Sequence, residues 1–264
     1  MSNQTFLATR NLAAVAALSL CIGSLTAVAQ NTLQTTNLDG RWAATLTQNA
    51  LVIPFRLDIS GGGNHLVGKL YNGDDNETTT SARFENGTLQ LNFEHYLTSI
   101  SATVKDGELD GKLTVQRRSP INITPGAESS AVKDSVSDFH ARRYVKPTEA
   151  EEAKVPSIDG VWELPHESPK GEKSWRLIVK QKGAEIEASI LRVDGDTGAL
   201  TGGWQDGKFV ASHFDGARPG LIQIVPQSDG SLSVDLKAEP RNIVLTAYRP
   251  EVARAKDCRS PPTT

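Results

Sequence analysis

The sequence predicts an all-β protein, two tandem eight-stranded up-and-down barrels behind a signal peptide, and three observations carry that expectation. The first is an internal repeat. Leu38-Asp39-Gly40-Arg41-Trp42 returns as Ile158-Asp159-Gly160-Val161-Trp162, placing Gly160 at an offset of 120 residues from Gly40. Arg56 recurs as Arg176 and Asn86-Gly87 as Asp206-Gly207 at the same spacing. Self-similarity of this kind means one structural unit written twice. The second observation is a period of two: Phe55, Leu57 and Ile59 alternate with Arg56 and Asp58, and Leu89, Leu91 and Phe93 with Gln90, Asn92 and Glu94. Alternation over short runs marks strands with one buried face. The third is the punctuation between these runs, Asn72-Gly73, Asn86-Gly87 and Asp106-Gly107. Such dipeptides supply the positive φ angles of tight hairpin turns.

Residues 1–29 read as a secretory signal. Arg10 precedes an apolar run from Leu12 to Leu25, and Ala27-Val28-Ala29 offers a small-residue cleavage site before Gln30. The run is shorter than the ~20 residues of a membrane span, so no span is expected. Leu20 stands where a lipoprotein signal needs a small residue before Cys21. The expected mature chain is soluble, exported to the periplasm or beyond, and keeps Cys258 as its single cysteine. An internal disulfide is then impossible, and stability rests on apolar cores. The chain carries 28 basic and 31 acidic residues for a net charge of −3, without a basic patch interleaved with aromatics. That composition argues against nucleic-acid binding.

The first unit, 38–146, contains strand patterns near 39–47, 51–60, 64–71, 78–86, 88–95, 98–105, 108–116 and 138–145. Arg117 to Ser137, with Pro120, Pro125 and Gly126, reads as a long surface loop. Residues 147–157, charged and bounded by Pro147 and Pro156, form the linker between two separately folding units. The second unit, 158–250, repeats the scheme near 159–164, 174–182, 185–193, 198–205, 208–214, 220–226, 231–237 and 242–249. Eight strands in hairpin sequence suit a closed, lipocalin-like meander, whose interior holds side chains or one small ligand. Helical periodicity is absent after the signal, and 251–264 reads as a flexible tail.

Because the copies share a scaffold, positions where they differ are informative. Phe93 of the first inward run corresponds to His213 of the second. With Asp215 and Arg218 in the following turn, and with Trp204, this histidine forms a candidate site at the mouth of the second barrel for a small polar or anionic ligand. Local pairing of the same groups, as is usual for buried polar side chains, is the competing reading. Asp194-Gly195-Asp196 fits a turn better than a calcium loop. Trp42, Trp162 and Trp175 fall at core positions of the strand pattern, and His65, His95, His140 and His166 show no triad or metal-ligand spacing. No catalytic residue, metal or cofactor is assigned.

The stretches Leu191-Arg192-Val193-Asp194-Gly195-Asp196-Thr197-Gly198-Ala199-Leu200-Thr201-Gly202 and Ser212-His213-Phe214-Asp215-Gly216-Ala217-Arg218-Pro219 resemble the region preceding the thioredoxin-like domain in bacterial exported thiol-disulfide oxidoreductases of the TlpA/ResA type. The resemblance covers about residues 38–255 and implies a periplasmic or cell-surface bacterial protein. Those relatives continue into a thioredoxin fold with a Trp-Cys-x-x-Cys motif, which this sequence lacks. Two functions follow as expectations. One is a non-catalytic binding or scaffold module, taking a small ligand or a periplasmic redox protein as partner. The other is a truncated or split oxidoreductase whose redox domain is missing or separately encoded.

Overall fold

The alternating runs become strands where the sequence places them. The computed structural model describes residues 37–62, 65–116, 134–217, 219–238 and 241–257. Residues 1–29, read as a signal, residues 117–133 of the stretch read as a surface loop, Arg218 and Cys258 lie outside the described residues, while Ser135 to Ser137 of that stretch are in a strand. In the first unit the strands are β1 (Gly40–Gln48), β2 (Leu51–Ser60), β3 (Val67–Asn72), β4 (Asp75–Thr78), β5 (Ser81–Glu85), β6 (Thr88–Phe93), β7 (Thr98–Lys105), β8 (Glu108–Val115) and β9 (Ser135–Arg143). In the second they are β10 (Gly160–Pro165), β11 (Ser174–Lys182), β12 (Glu185–Arg192), β13 (Gly195–Asp196), β14 (Leu200–Gln205), β15 (Lys208–His213), β16 (Gly220–Pro226), β17 (Leu232–Ala238) and β18 (Arg241–Ala247). The architecture is two tandem antiparallel β-barrels in up-and-down order.

Each unit carries one short strand beyond the eight expected. The ninth in the first is β4, which falls between the strands expected near 64–71 and 78–86: Gly73-Asp74 alone form the two-residue connection, and Asn72 pairs with Asp75. Its counterpart β13 has two residues and pairs only with β12. Two short helices also depart from expectation. α1 (Glu149–Glu152) occupies the linker and is started by Thr148, whose hydroxyl and backbone N–H pair with Glu151 in a capping box. α2 (Pro250–Asp257) begins the segment read as a tail, with proline at its first position, where the missing N–H costs nothing. Among the described residues no helix is long and apolar enough to cross a membrane.

The two copies close at different seams. In the first, β1 pairs along its length with β9, and the sheet ends at the consecutive strands β4 and β5. Thr79 and Thr80 link the two edges, the Thr79 N–H donating to the Gly68 carbonyl of β3 at 2.9 Å and the Thr80 N–H to the Asn92 carbonyl of β6 at 2.8 Å. In the second, β12 pairs directly with β14, and the ends β10 and β18 meet in a reciprocal pair between Glu163 and Tyr248 at 2.8 and 2.9 Å.

One device recurs in both barrels and explains the repeated Asp-Gly-x-Trp. Trp42 is buried, donates its indole N–H to the Leu38 carbonyl at 3.0 Å, and is covered by the Arg143 guanidinium 4.0 Å from its ring. Trp162 donates to Ile158 at 2.8 Å beneath Arg249 at 3.9 Å. The glycine is required by its φ, +124° at Gly40 and +105° at Gly160, and its bare Cα leaves the arginine Nη1 room, since a Cβ there would lie 3.1 or 2.9 Å from it. Above this plug the inward faces fill the barrels, with Leu57, Leu91, Phe93 and Phe139 in the first and Leu177, Ile190, Phe209 and Ile224 in the second.

The barrels are joined through β15. Phe209 and Ala211 face the second core, as alternation predicts, yet Val210 and Ser212 on the opposite face are buried as well. The Ser212 hydroxyl donates to the carbonyl of Pro54 in β2. The next apolar residue crosses the boundary: Phe214 belongs to the first barrel's core, 4.8 Å from the ring of Phe55 and 2% exposed. Replacing Phe214 with alanine is expected to cost about 3–5 kcal/mol, felt in the first barrel although the residue follows β15. Hydrogen exchange at the two capped indoles reads this out, with Trp42 exchanging faster in the variant and Trp162 spared.

Candidate functional site

With both interiors packed, the open volumes described here lie where the barrels meet. The β3–β4 hairpin of the first barrel reaches the second. Gly73 at its tip has φ +65°, and a Cβ would sit 3.1 Å from the Ala199 side chain and 3.2 Å from Glu187. A side chain there would strain the backbone and press on both neighbours. Beside it the Asn72 side-chain amide lies 2.8 Å from His213 Nδ1, which is also 3.2 Å from the Ala199 carbonyl. The two orientations of that amide correspond to the two tautomers of the imidazole. With its nitrogen toward His213, Asn72 leaves a buried Oδ1 unpaired.

Asp215 takes hydrogen bonds from the Tyr96 hydroxyl at 2.9 Å and from the Ala217 N–H at 3.3 Å, and stands 3.9 Å from His213 Nε2. The Tyr96 hydroxyl is held above its ordinary pKa by that bond to Asp215 and then by burial. Thr98 anchors the loop by donating to the Gly216 carbonyl. His95, Tyr96 and Leu97 from the β6–β7 turn, His213 at the end of β15, and Asp215 and Ala217 from the β15–β16 loop line a pocket of about 460 Å³. Leu97 holds φ +54°, a conformation that a branched side chain adopts only under restraint.

Of the residues expected in one cluster, His213 and Asp215 come together. Arg218 lies outside the described residues. Trp204 does not join them. It packs edge-on against Phe209 at 4.9 Å and lines a separate cleft between the barrels. The mouth bearing His213 faces the first barrel, which contributes His95 and Tyr96 to the pocket and meets His213 through Asn72. These partners, 141 residues away for Asn72 and 119 for the Tyr96–Asp215 pair, leave no local signal in the sequence.

The cleft occupies about 950 Å³. Glu185 of β12 spans it, accepting from Arg41 at 2.7 Å and from the Tyr144 hydroxyl at 2.8 Å. The Arg41 guanidinium lies 3.7 Å over the Tyr144 ring. Burial alone would raise the Glu185 pKa, but the Tyr144 hydrogen bond and the Arg41 charge outweigh it and bring the carboxyl below its ordinary 4.5. Among the described residues no group of three or more His, Cys, Asp and Glu could hold a metal ion.

No protein-family model matches the sequence, and no curated protein matches it. Among solved structures it is similar to a protein of unknown function of the DUF3598 family from Nostoc punctiforme PCC 73102, at 11% identity and a TM-score of 0.24, over 80% of this chain and 94% of that one. A score that low carries no inference about fold or function.

Two predictions follow from the joint. Because Glu185 is lowered in the folded chain, its contribution is complete above the unfolded carboxyl pKa and is lost as pH falls through the folded value. Denaturant midpoints taken from about pH 6 to about pH 3 should therefore decline less steeply in Glu185→Gln than in the wild type. His213→Phe would restore the first copy's residue, yet it strips the Asn72 amide of its partner. The expected loss is about 1–3 kcal/mol, measured by the same denaturation, and Asn72→Leu in the same chain should recover part of it.

Proposed function

We propose that the chain is an exported, non-catalytic binding module that holds a small polar ligand in the pocket between His213 and Tyr96. The observation that carries this reading is the composition of the pocket wall. Two copies of one scaffold, each with a side-chain-filled interior, bring imidazole, phenol and carboxylate groups into one open volume at their junction. Convergent polar groups in a concave site between structural units are the usual makings of a ligand pocket. Asn72 holds His213 from behind the pocket, its side-chain amide 2.8 Å from Nδ1. Export rests on the leader pattern of residues 1–29, and a periplasmic redox protein as partner rests on the resemblance of 191–202 and 212–219 to redoxin accessory regions.

A thermal-shift screen of amino acids, hydroxy acids, nucleosides and neutral sugars against the whole chain tests the pocket. The expected result is that one class raises the melting temperature of the wild type by several degrees, and that Asp215→Asn and Tyr96→Phe both abolish the shift. A ligand that stabilises these variants equally would place binding elsewhere. The absence of any hit would remove the support for a small-molecule role.

A further inference from the structure

We propose that the cleft between the barrels is a second and independent site, which binds a small organic anion carrying a flat ring, with Arg56 and Tyr71 as its recognition pair. This goes beyond the pocket at His213 and shares none of its lining residues.

The first observation is electrostatic. Six Arg and Lys side chains line the cleft against four Asp and Glu, with Asp58 behind Arg56 as a fifth carboxylate, on a chain whose net charge is −3. A local excess of cations in a concave, partly desolvated surface concentrates anions there.

The second is the way the arginines are held. Arg56 lies 3.9 Å over the Tyr71 ring and is fixed in plane by Asp58, which accepts from Nε at 2.8 Å and from Nη2 at 2.5 Å. One face of the guanidinium is therefore covered and one edge engaged. Its other face and Nη1 remain for a ligand, on a side chain that is 37% exposed. A stacked, pre-oriented guanidinium loses little freedom when it binds a carboxylate or phosphate, and its open face suits an aromatic ring.

The third observation comes from the repeat. At an offset of 120, Arg41 and Tyr71 correspond to Val161 and Leu191, which are 37% and 38% exposed. Tyr144, which follows the tryptophan-covering Arg143, corresponds to Pro250 after Arg249. Arg176, the counterpart of Arg56, pairs with Glu163 at 3.0 Å. The second barrel thus lacks the tyrosine stacks that line the cleft, and places Arg192 4.5 Å over the buried Trp175 instead. Arg41 and Tyr144 are occupied by Glu185 in joining the barrels. Arg56 and Tyr71 are not. Their hydrogen bonds and stacking stay within the first barrel, and Glu185 reaches Arg56 through its charge without a hydrogen bond.

The test is calorimetric titration of the full chain with benzoate and phenyl phosphate, with benzamide as the neutral ring and acetate as the ringless anion. The expected result is saturable binding of one or both aromatic anions, at least about tenfold tighter than benzamide or acetate, and weakened by added salt. Arg56→Gln should reduce that affinity by about tenfold or more. His213→Phe should leave it unchanged. Titration of Arg56→Gln is accompanied by the Trp42 and Trp162 indole exchange rates, to establish that both barrels remain folded. Failure of both aromatic anions to saturate, equal affinity for benzamide, or undiminished binding in folded Arg56→Gln would each overturn the proposal. Loss of binding in His213→Phe alone would assign the anion to the pocket instead.

Discussion

Strand β15 is buried on both faces, and that constraint organises the molecule. A barrel strand ordinarily shows one face to solvent. Here Val210 and Ser212 pack on β2 of the neighbouring barrel while Phe209 and Ala211 fill their own, and Phe214 continues into the first core. Docking along one strand leaves room on either side of the contact, because two convex barrels touch over a limited width. The pocket opens around His213 at the end of β15, and the cleft reaches Val210 nearer its start. Both candidate sites are thus consequences of how the barrels meet.

Duplication separates the demands of folding from those of binding. The tryptophan under its arginine, the glycine that lets the guanidinium approach, and the inward aliphatic faces occur in both copies, and they account for two filled barrels. What differs is chemistry at the facing surfaces: His213 for Phe93, Arg41 for Val161, Tyr71 for Leu191. A core position that turns polar needs a hydrogen-bond partner, and His213 finds it in the other barrel.

The joint mixes interactions of unequal strength. Burial of Phe214 is worth several kcal/mol on general grounds, whereas exposed charge pairs contribute little. Arg41–Glu185 is about one-third exposed on the arginine side, so its role is to set orientation and pH response more than to hold the barrels together. The strained turn at Leu97 and the close approach at Gly73 add positional restraint at the same seam.

The sequence by itself determined the strands, their hairpin order and the repeat, because period-two burial and turn chemistry are local and each copy states them again. It also contained the Thr148-Glu149-Ala150-Glu151 capping signature and the proline that opens α2, although strand periodicity elsewhere obscured both. His213 and Asp215 were legible as a departure between copies. Their partners Asn72 and Tyr96 were not, nor was the removal of Trp204 to another cleft. Alternation tells which face of a strand is buried in its own barrel and is silent about what covers the other face. That second burial, the different closing seams, and the meeting of side chains more than a hundred residues apart were decided by the tertiary structure, since they depend on how two finished surfaces pack and not on any pattern along the chain.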